Sequence, residues 1–258
     1  MSGQSKTSGI PKCVILAAGT ATRLRPLTDG TPKCLLKIGG MSILERTLEN
    51  VFAAGVREIA LVVGYRRSMI HDFVNQKYPH KKIRFIFNPN YERTNNAYSL
   101  LLARRFMEGR DEMINRSMLL LDSDIVFSPH LLPYLLQAVA ENKIAVRVSG
   151  EHNEEEIQVE TRSDGCICFI GKKPDCTDSS GESIGIELFS PATTGILFAT
   201  LEQRIRAGTG RSEFYEAAFQ ELIDQGVSMK AVDVSLFPAM EIDTPEDLKQ
   251  AAQLNKGA

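Results

Sequence analysis

The sequence predicts an α/β protein built on a mostly parallel, mixed sheet with helices on both faces. Three observations predict it. Short, continuous apolar runs, Val14-Ile15-Leu16, EIALVVG at residues 58–64 and Met118–Leu121, are what strands carry when both faces are covered. Helical stretches alternate with them in a β-loop-α-β-α-β rhythm. A loop of small residues, Ala17-Ala18-Gly19-Thr20-Ala21-Thr22, follows the first run directly, at the carboxyl end of a strand, where such sheets bind ligands.

Bulk properties narrow the function. The chain has 258 residues, 43% of them apolar, enough for one large domain with a sizeable core. A net charge of −2 leaves no polycationic footprint for nucleic acid or an anionic membrane. No apolar run approaches the ~20 residues of a membrane span. Residues 1–11, MSGQSKTSGIP, lack the apolar core of a signal peptide and read as a disordered lead-in. Cys13, Cys34, Cys166, Cys168 and Cys176 are odd in number and show no C-x-x-C spacing, which fits reduced thiols in a cytoplasm. Without repeats or linkers, residues 12–255 read as a single domain, with about 145–190 as an elaborated layer.

In chain order, Ser42-Ile43-Leu44-Glu45 is a capping box. Its helix carries Leu44, Leu48, Val51 and Phe52 on one face and stops at Gly55. After the strand at 58–64 come a helix near 68–77 and a strand at 83–87. Asn95-Asn96 open a helix with Leu100, Leu101 and Ala103 as its apolar positions; two amides there cap a helix, and an amide also suits reading a base edge. The strand Met118–Leu121 ends in Asp122-Ser123-Asp124, and Ser128-Pro129 cap the next helix. Residues 144–149 alternate. Strands at 155–162 and 166–170 flank Asp164-Gly165, a hairpin signal, with Glu154-Glu155-Glu156 on a solvated edge. Residues 174–183 read as an aperiodic flap, and 185–189 as a strand lining a pocket. Helices follow at 192–207 and 212–225. On the second, Phe219, Leu222 and Ile223 face the core and Tyr215 and Glu216 the other side. A strand at 232–234 precedes Glu241-Ile242-Asp243, which ends a strand before a helix capped by Thr244 with Pro245 at its first position.

The small-residue loop carries the chemistry. It lets backbone N–H groups approach a phosphate chain, while Arg23 and Lys33 neutralise that chain from either side. It is not a dinucleotide fingerprint, whose three glycines would fall at Gly19, Ala21 and Leu24, and no P-loop pattern occurs. The plainer alternative is an ordinary strand-to-loop turn. Two acidic pairs, Asp122/Asp124 and Glu241/Asp243, close separate strands. Mg²⁺ takes one or two carboxylates together with phosphate oxygens and water, although an acid at a strand end also serves as a turn former or cap. The histidines, His71, His80, His130 and His152, sit in no motif.

A-A-G-x-A-x-R-L at 17–24, followed by Pro32-Lys33, resembles the signature of nucleotidylyltransferases that activate phosphorylated sugars and alcohols, with Ala21 where many members carry glycine. The run Y-x-x-T-N-N-x-Y-S-L at 91–100, the Asp122-Ser123-Asp124 triplet and Met240-Glu241-Ile242-Asp243-Thr244 resemble the bacterial choline-phosphate cytidylyltransferases. That branch makes CDP-choline for cell-surface polysaccharide decoration. The resemblance runs from about residue 12 to 254. It implies a Rossmann-like, glycosyltransferase-A-like nucleotidyltransferase fold with a β-hairpin elaboration. It also implies transfer of CMP from CTP to a small phosphorylated acceptor, phosphocholine first, with Mg²⁺ and release of pyrophosphate.

The expected site follows. The backbone of Leu16, Ala17, Ala18, Gly19, Thr20, Ala21 and Thr22 holds the triphosphate with Arg23, and Lys33 stabilises charge at the α-phosphate. Asn95, Asn96 and Ser99 meet the base or ribose. Asp122 or Asp124, with Glu241 or Asp243, holds Mg²⁺. A quaternary ammonium needs an aromatic and acidic enclosure, for which Tyr98, Phe127, Tyr215 and Glu216 are candidates. Lys172-Lys173 are surface lysines, or, as in related enzymes, one of them (Lys173 is the candidate) closes over a phosphate. Because the acceptor phosphate is already anionic, no general base is required, consistent with histidines outside any motif. Relatives acting on aminoethylphosphonate, inositol phosphate or sugar 1-phosphates leave those acceptors as alternatives, and a non-catalytic nucleotide-binding regulator is the alternative of another class.

Overall fold

A computed structural model describes residues 9–109, 111–148, 156–172 and 181–254. Most of the 1–11 lead-in, Lys173 and most of the 174–183 segment therefore lie outside the described residues, as do Glu154 and Glu155. Gly9–Pro11 are described, and the Ile10 carbonyl accepts from Arg116 Nε at 2.7 Å.

The strands are β1 (Lys12–Ala17), β2 (Lys37–Ile38), β3 (Met41–Ser42), β4 (Glu58–Val63), β5 (Lys82–Phe87), β6 (Met118–Asp122), β7 (Ile125–Phe127), β8 (Lys143–Arg147), β9 (Gln158–Thr161), β10 (Ile167–Gly171), β11 (Gly181–Phe189), β12 (Lys230–Asp233) and β13 (Ala239–Glu241). The helices are α1 (Ile43–Ala53), α2 (Arg67–Lys77), α3 (Asn96–Leu102), α4 (Arg104–Met107), α5 (Leu131–Gln137), α6 (Pro191–Ala207), α7 (Glu216–Asp224) and α8 (Pro245–Leu254). The main sheet runs β10-β9-β11-β6-β1-β4-β5, with β8 pairing β11 and β12. Its centre, β6-β1-β4-β5, is parallel, and β11 runs antiparallel to β6 and β8. The expectation of a mixed α/β sheet with helices on both faces is met.

The side-chain alternation of β1 explains the layering. Cys13, Ile15 and Ala17 enter one core with α1, α2 and α5; Val14 and Leu16 enter a second with α3, α6 and α7. Ile15 and Val14 are both fully buried. Strands covered on both faces gain roughly 1.5–3 kcal/mol per buried aliphatic side chain.

Local chemistry sets the element ends. Ser42 Oγ accepts from Glu45 N at 3.1 Å, and Gly55 ends α1 at φ 88°. Asp164-Gly165 turns the β9–β10 hairpin with Gly165 at φ 77°. Gly39-Gly40, both at positive φ, turn the β2–β3 hairpin. At α8, Asp247 N donates to Thr244 Oγ1 while Asp247 Oδ2 accepts from the N–H of Thr244.

Three expectations are corrected. β11 begins at Gly181, so residues 181–183 are strand, not flap. α7 begins at Glu216, not 212. Tyr215 and Glu216, expected to be exposed, are 0% and 5% exposed; Tyr215 O–H reaches Asp122 at the end of β6, and its ring centroid lies 5.0 Å from that of Phe219.

Candidate active site

The loop after β1 forms the floor of a cleft of about 360 Å³ that Leu16, Ala17, Ala18, Gly19, Ala21, Thr22 and Arg23 line; Thr20 is not among its lining residues. Ala21 sits in the left-handed region at φ 49°, which accounts for glycine at this position in the resembled signature. A Cβ on Gly19 would meet nothing within 4 Å, so the space above the loop is open. The loop is pinned from outside the cleft. Thr28 Oγ1 donates to the Ala21 carbonyl at 2.8 Å, Tyr65 O–H to the Thr28 carbonyl at 2.8 Å, and Tyr65 N to the Ala18 carbonyl at 3.1 Å. Gly64 is required here: a Cβ would lie 2.6 Å from both the Ala18 oxygen and Tyr91 Cβ.

Asn95, Asn96 and Ser99 line the same cleft. The structural work of the amides is visible. Asn95 Oδ1 accepts from Asn96 N at 2.8 Å, and Asn96 Oδ1 accepts from Tyr215 N at 2.9 Å. Buried Asn88, which the sequence reading missed, also lines it and donates to Ser99 Oγ at 3.0 Å and Thr94 Oγ1 at 3.1 Å. Tyr91 and Thr94 complete this end. The signal for Asn88 was a polar residue directly after an apolar strand.

At the opposite wall two distant segments meet. β13 pairs antiparallel with β7, setting Glu241 across from Ile125, and Ile242 N donates to the Asp124 carbonyl at 2.9 Å. Carboxylate oxygens of Asp124, Glu241 and Asp243 consequently lie within 4.8 Å of one another. Lys33 Nζ donates to Asp124 Oδ2 at 2.9 Å and Asp243 Oδ1 at 2.6 Å, and Arg23 Nη2 to Asp243 Oδ2 at 2.8 Å. Burial works to lower the Lys33 pKa, but Asp124 and Asp243 outweigh it and raise it. Burial works to raise Asp243, but Lys33 and then Arg23 bring it below the usual carboxylate range. Glu241 is pushed up to about 8 by burial and by the charges of Asp124 and Asp243. The donor set fits a hard divalent cation. It is three carboxylates lining the cleft, Asp124 and Asp243 half-buried and Glu241 exposed, and Asp124 Oδ1 is buried with no hydrogen-bond partner among the described residues.

Asp122 belongs to a different group. The strand ends at Asp122, which lines the cleft and the cavity beside it together with Asp124, but only Asp124 gathers with Glu241 and Asp243. Tyr215 O–H donates to Asp122 Oδ2 at 2.8 Å, and Gly185, whose Cβ would sit 2.9 Å from that oxygen, allows β11 to pass. Glu187 and Glu216 surround the same tyrosine. Burial first, then the neighbouring acids, raise Asp122 and Glu187 well above the ordinary range; burial brings Glu216 to about 7. Glu187 Oε2 and Glu216 Oε2 have no hydrogen-bond partner among the described residues.

A second cavity of about 140 Å³ adjoins the cleft, sharing Asn96, Asp122, Asp124, Glu241 and Asp243 with it. Arg23 and Phe214 line both as well, and Glu156, Glu182, Glu216, Arg147 and Lys172 add charge. Glu182 is ion-paired to Arg147, yet burial and then Glu156 push it up to about 7. Of the acceptor candidates, Glu216 lines this cavity. Tyr98 and Phe127 do not: the Tyr98 hydroxyl oxygen accepts from Asn90 Nδ2 at 3.2 Å, and Phe127 is packed in the core beside α1. Tyr215 is a buried strut under the cavity rather than a wall. Phe214, 42% exposed and missed by the sequence reading, is the aromatic wall, with Lys172 Nζ 5.1 Å from its ring centroid. Glu187 was legible as an acid inside the apolar run Ile186–Phe189, and Glu182 was hidden in the apparent flap.

Residues 12–239 match the family model described as Nucleotidyl transferase. A CMP-5'-(3-aminopropyl)phosphonate synthase of Streptomyces rubellomurinus is 28% identical over 253 residues, 93% of this chain, but the chain spans only 38% of that relative's length. A CTP:phosphoglutamine cytidylyltransferase of Campylobacter jejuni is 28% identical over 255 residues, covering 92% of this chain and 97% of the relative. Among solved structures, the CTP:phosphocholine cytidylyltransferase of Streptococcus pneumoniae superposes with a TM-score of 0.75 over 95% of this chain and 98% of that one, at 22% identity, a likeness of fold.

Proposed function

The chain belongs to the nucleotidyl transferase family, and on that premise we propose that it transfers CMP from CTP to a small phosphorylated or phosphonate acceptor bearing an ammonium group, phosphocholine or an aminoalkylphosphonate, with Mg²⁺. The observation that carries the reading is the junction of the two cavities. The carboxylates of Asp124, Glu241 and Asp243 gather there beside Lys33 and Arg23, between an open small-residue loop and an acid-lined pocket.

The chemistry needs no proton abstraction. An anionic acceptor oxygen attacks the α-phosphorus, a P–O bond forms, the bond to the β-phosphate oxygen breaks, and pyrophosphate leaves. What must be overcome is repulsion between two polyanions and charge growing on the leaving group. The loop backbone and Arg23 bind the triphosphate, and Lys33 stabilises the α-phosphate and the departing pyrophosphate. Asn96 lines both cavities and, oriented by Tyr215 N, positions the ribose and acceptor against each other. A divalent cation held by Asp124, Glu241 and Asp243 supplies charge neutralisation across the phosphates. Glu216 and Glu182 give the acceptor's ammonium its counter-charge, and Phe214 its apolar wall. The acceptors in the names of the relatives, 3-aminopropylphosphonate and phosphoglutamine, carry nitrogen groups that suit such a pocket. We place the enzyme in the cytoplasm as one domain over residues 12–255, in a route that supplies an activated headgroup for surface polysaccharide.

The test is pyrophosphate release with CTP, UTP, ATP and dTTP against phosphocholine, 2-aminoethylphosphonate, inositol 1-phosphate and glucose 1-phosphate. Release with CTP and an ammonium-bearing acceptor is expected. Release with glucose 1-phosphate and not with the ammonium compounds makes the protein a sugar-1-phosphate nucleotidylyltransferase. Nucleotide binding without release for any pair makes it a non-catalytic regulator.

A further inference from the structure

The contacts of Lys33 point beyond a role at the α-phosphate. Its backbone is fixed: Pro32 precedes it, and a single 3₁₀ turn is closed by Leu35 N to the Pro32 carbonyl at 2.8 Å and Leu36 N to the Lys33 carbonyl at 3.0 Å. On this hydrogen-bonded turn the flexible four-carbon side chain is what carries the charge. Its ammonium, with a side chain 12% exposed, bridges Asp124 Oδ2 and Asp243 Oδ1 at 2.9 and 2.6 Å. These are two of the three carboxylates gathered for the cation. An ion bound to those oxygens at about 2.1 Å stands within a few ångströms of Nζ. At that distance two cations repel strongly in a low-dielectric cleft. Lys33 and the metal therefore compete for the same oxygens. Arg23 holds the remaining oxygen of Asp243 but is far more exposed, its side chain at 58%.

We propose that Lys33 is the internal counter-ion of the metal site: in the nucleotide-free protein its ammonium holds the carboxylates and keeps free divalent metal out, so that metal enters together with a nucleotide whose phosphates draw Lys33 away. The same side chain then serves at the α-phosphate, so vacating the acids and arming the phosphate are one movement. Asp124 Oδ1, buried and without a partner, and Glu241, which has no ion pair with Lys33, remain as the first footholds for the arriving ion. The proposal rests on the metal assignment of the preceding reading and not on which acceptor is used.

The experiment is a Mn²⁺ titration followed by electron paramagnetic resonance, on wild type, Lys33→Met and Arg23→Met, with and without CTP. Thermal unfolding of each form is recorded with and without Mn²⁺. Wild type without CTP is expected to leave Mn²⁺ free, and with CTP to bind one ion. Lys33→Met is expected to bind Mn²⁺ without nucleotide at least about tenfold more tightly than wild type, and to gain thermal stability from it. Arg23→Met is expected to change nucleotide-free Mn²⁺ affinity little. Wild type binding Mn²⁺ without CTP as tightly as with it overturns the proposal while leaving the metal site standing, whether or not Lys33→Met folds. A folded Lys33→Met with no gain also overturns it. Absence of Mn²⁺ binding by every form, CTP included, removes the metal assignment itself.

Discussion

Two acidic regions of this molecule lie side by side and are treated in opposite ways. On the nucleotide side, Asp124 and Asp243 are matched by Lys33 and Arg23 at 2.6–2.9 Å, and Asp243 is held as an anion below its ordinary pKa. On the acceptor side, Asp122, Glu187 and Glu216 crowd a buried tyrosine, and their pKa values are raised. The first region has its cations built in, and on our proposal it trades them for a metal and phosphates. The second has carboxyls raised by burial, whose counter-charge, on our proposal, arrives with the acceptor. Sorting acids by what compensates them thus separates the two halves of one site, which their positions in the chain do not.

The comparison breaks most visibly by mutation of one acid from each region. Asp124→Asn is expected to lower kcat by about a thousandfold, a typical loss for a group that stabilises developing transition-state charge, and to abolish the Mg²⁺ dependence of the residual rate. Glu216→Gln is expected to raise KM for an ammonium-bearing acceptor about tenfold, the loss expected of a charge-assisted hydrogen bond, with KM for CTP unchanged. Steady-state kinetics with each substrate varied checks both. If Glu216→Gln moves KM for CTP instead, the division into two regions is wrong.

The pH dependence of stability sharpens the contrast. Glu216 and Glu182 rise to about 7 in the folded protein from an unfolded value near 4.3, so the folded state holds more protons between those values. Their contribution is therefore lost as pH rises through that window, and the melting temperature is expected to fall from pH 5.5 to 8.5. Asp243 has the opposite sign: its contribution is present above the unfolded pKa and is lost only as pH falls through its lowered folded value. Glu187→Gln is expected to flatten the fall by a few degrees, since ~1 kcal/mol shifts Tm by about 2–4 °C in a domain of this size. A profile that rises towards pH 8.5 in calorimetry contradicts the uncompensated-acid account. The smallest expected effect is at the loop. Ala21→Gly relieves left-handed strain of ~1–2 kcal/mol and costs ~0.4–1 kcal/mol in unfolded-chain entropy, so a net gain of about 0.5–1 kcal/mol is expected in denaturant titration.

Much of the scaffold was legible because local chemistry and global packing agree there. The Ser42 box, the apolar strands and the Thr244-Pro245 helix start each state their role within a few residues. The small-residue loop after β1 was legible for the same reason, being one contiguous stretch. What was hidden depended on pairing across the chain. Asp122 and Asp124 look equivalent in sequence, and only the turn after β6 with the β7–β13 pairing sends one to Tyr215 and the other to Lys33. Tyr215 and Glu216 read as exposed because what buries this helix start comes from distant segments, Tyr215 being bonded to Asn96 and Asp122, not from their own helix's periodicity. Phe214, Glu182 and Asn88 lack a motif because their role is to be walls, a property of the assembled fold.

The most direct measurement of the central claim, that the two acidic regions form one cytidylyl-transfer site, is pyrophosphate release with CTP and Mg²⁺ across matched acceptors differing only in the ammonium group. Ethyl phosphonate and 2-aminoethylphosphonate form such a pair. Release that requires the amine, and that loses this requirement in Glu216→Gln, is the result predicted. Equal release from both acceptors in wild type, or release from hexose 1-phosphates alone, contradicts it.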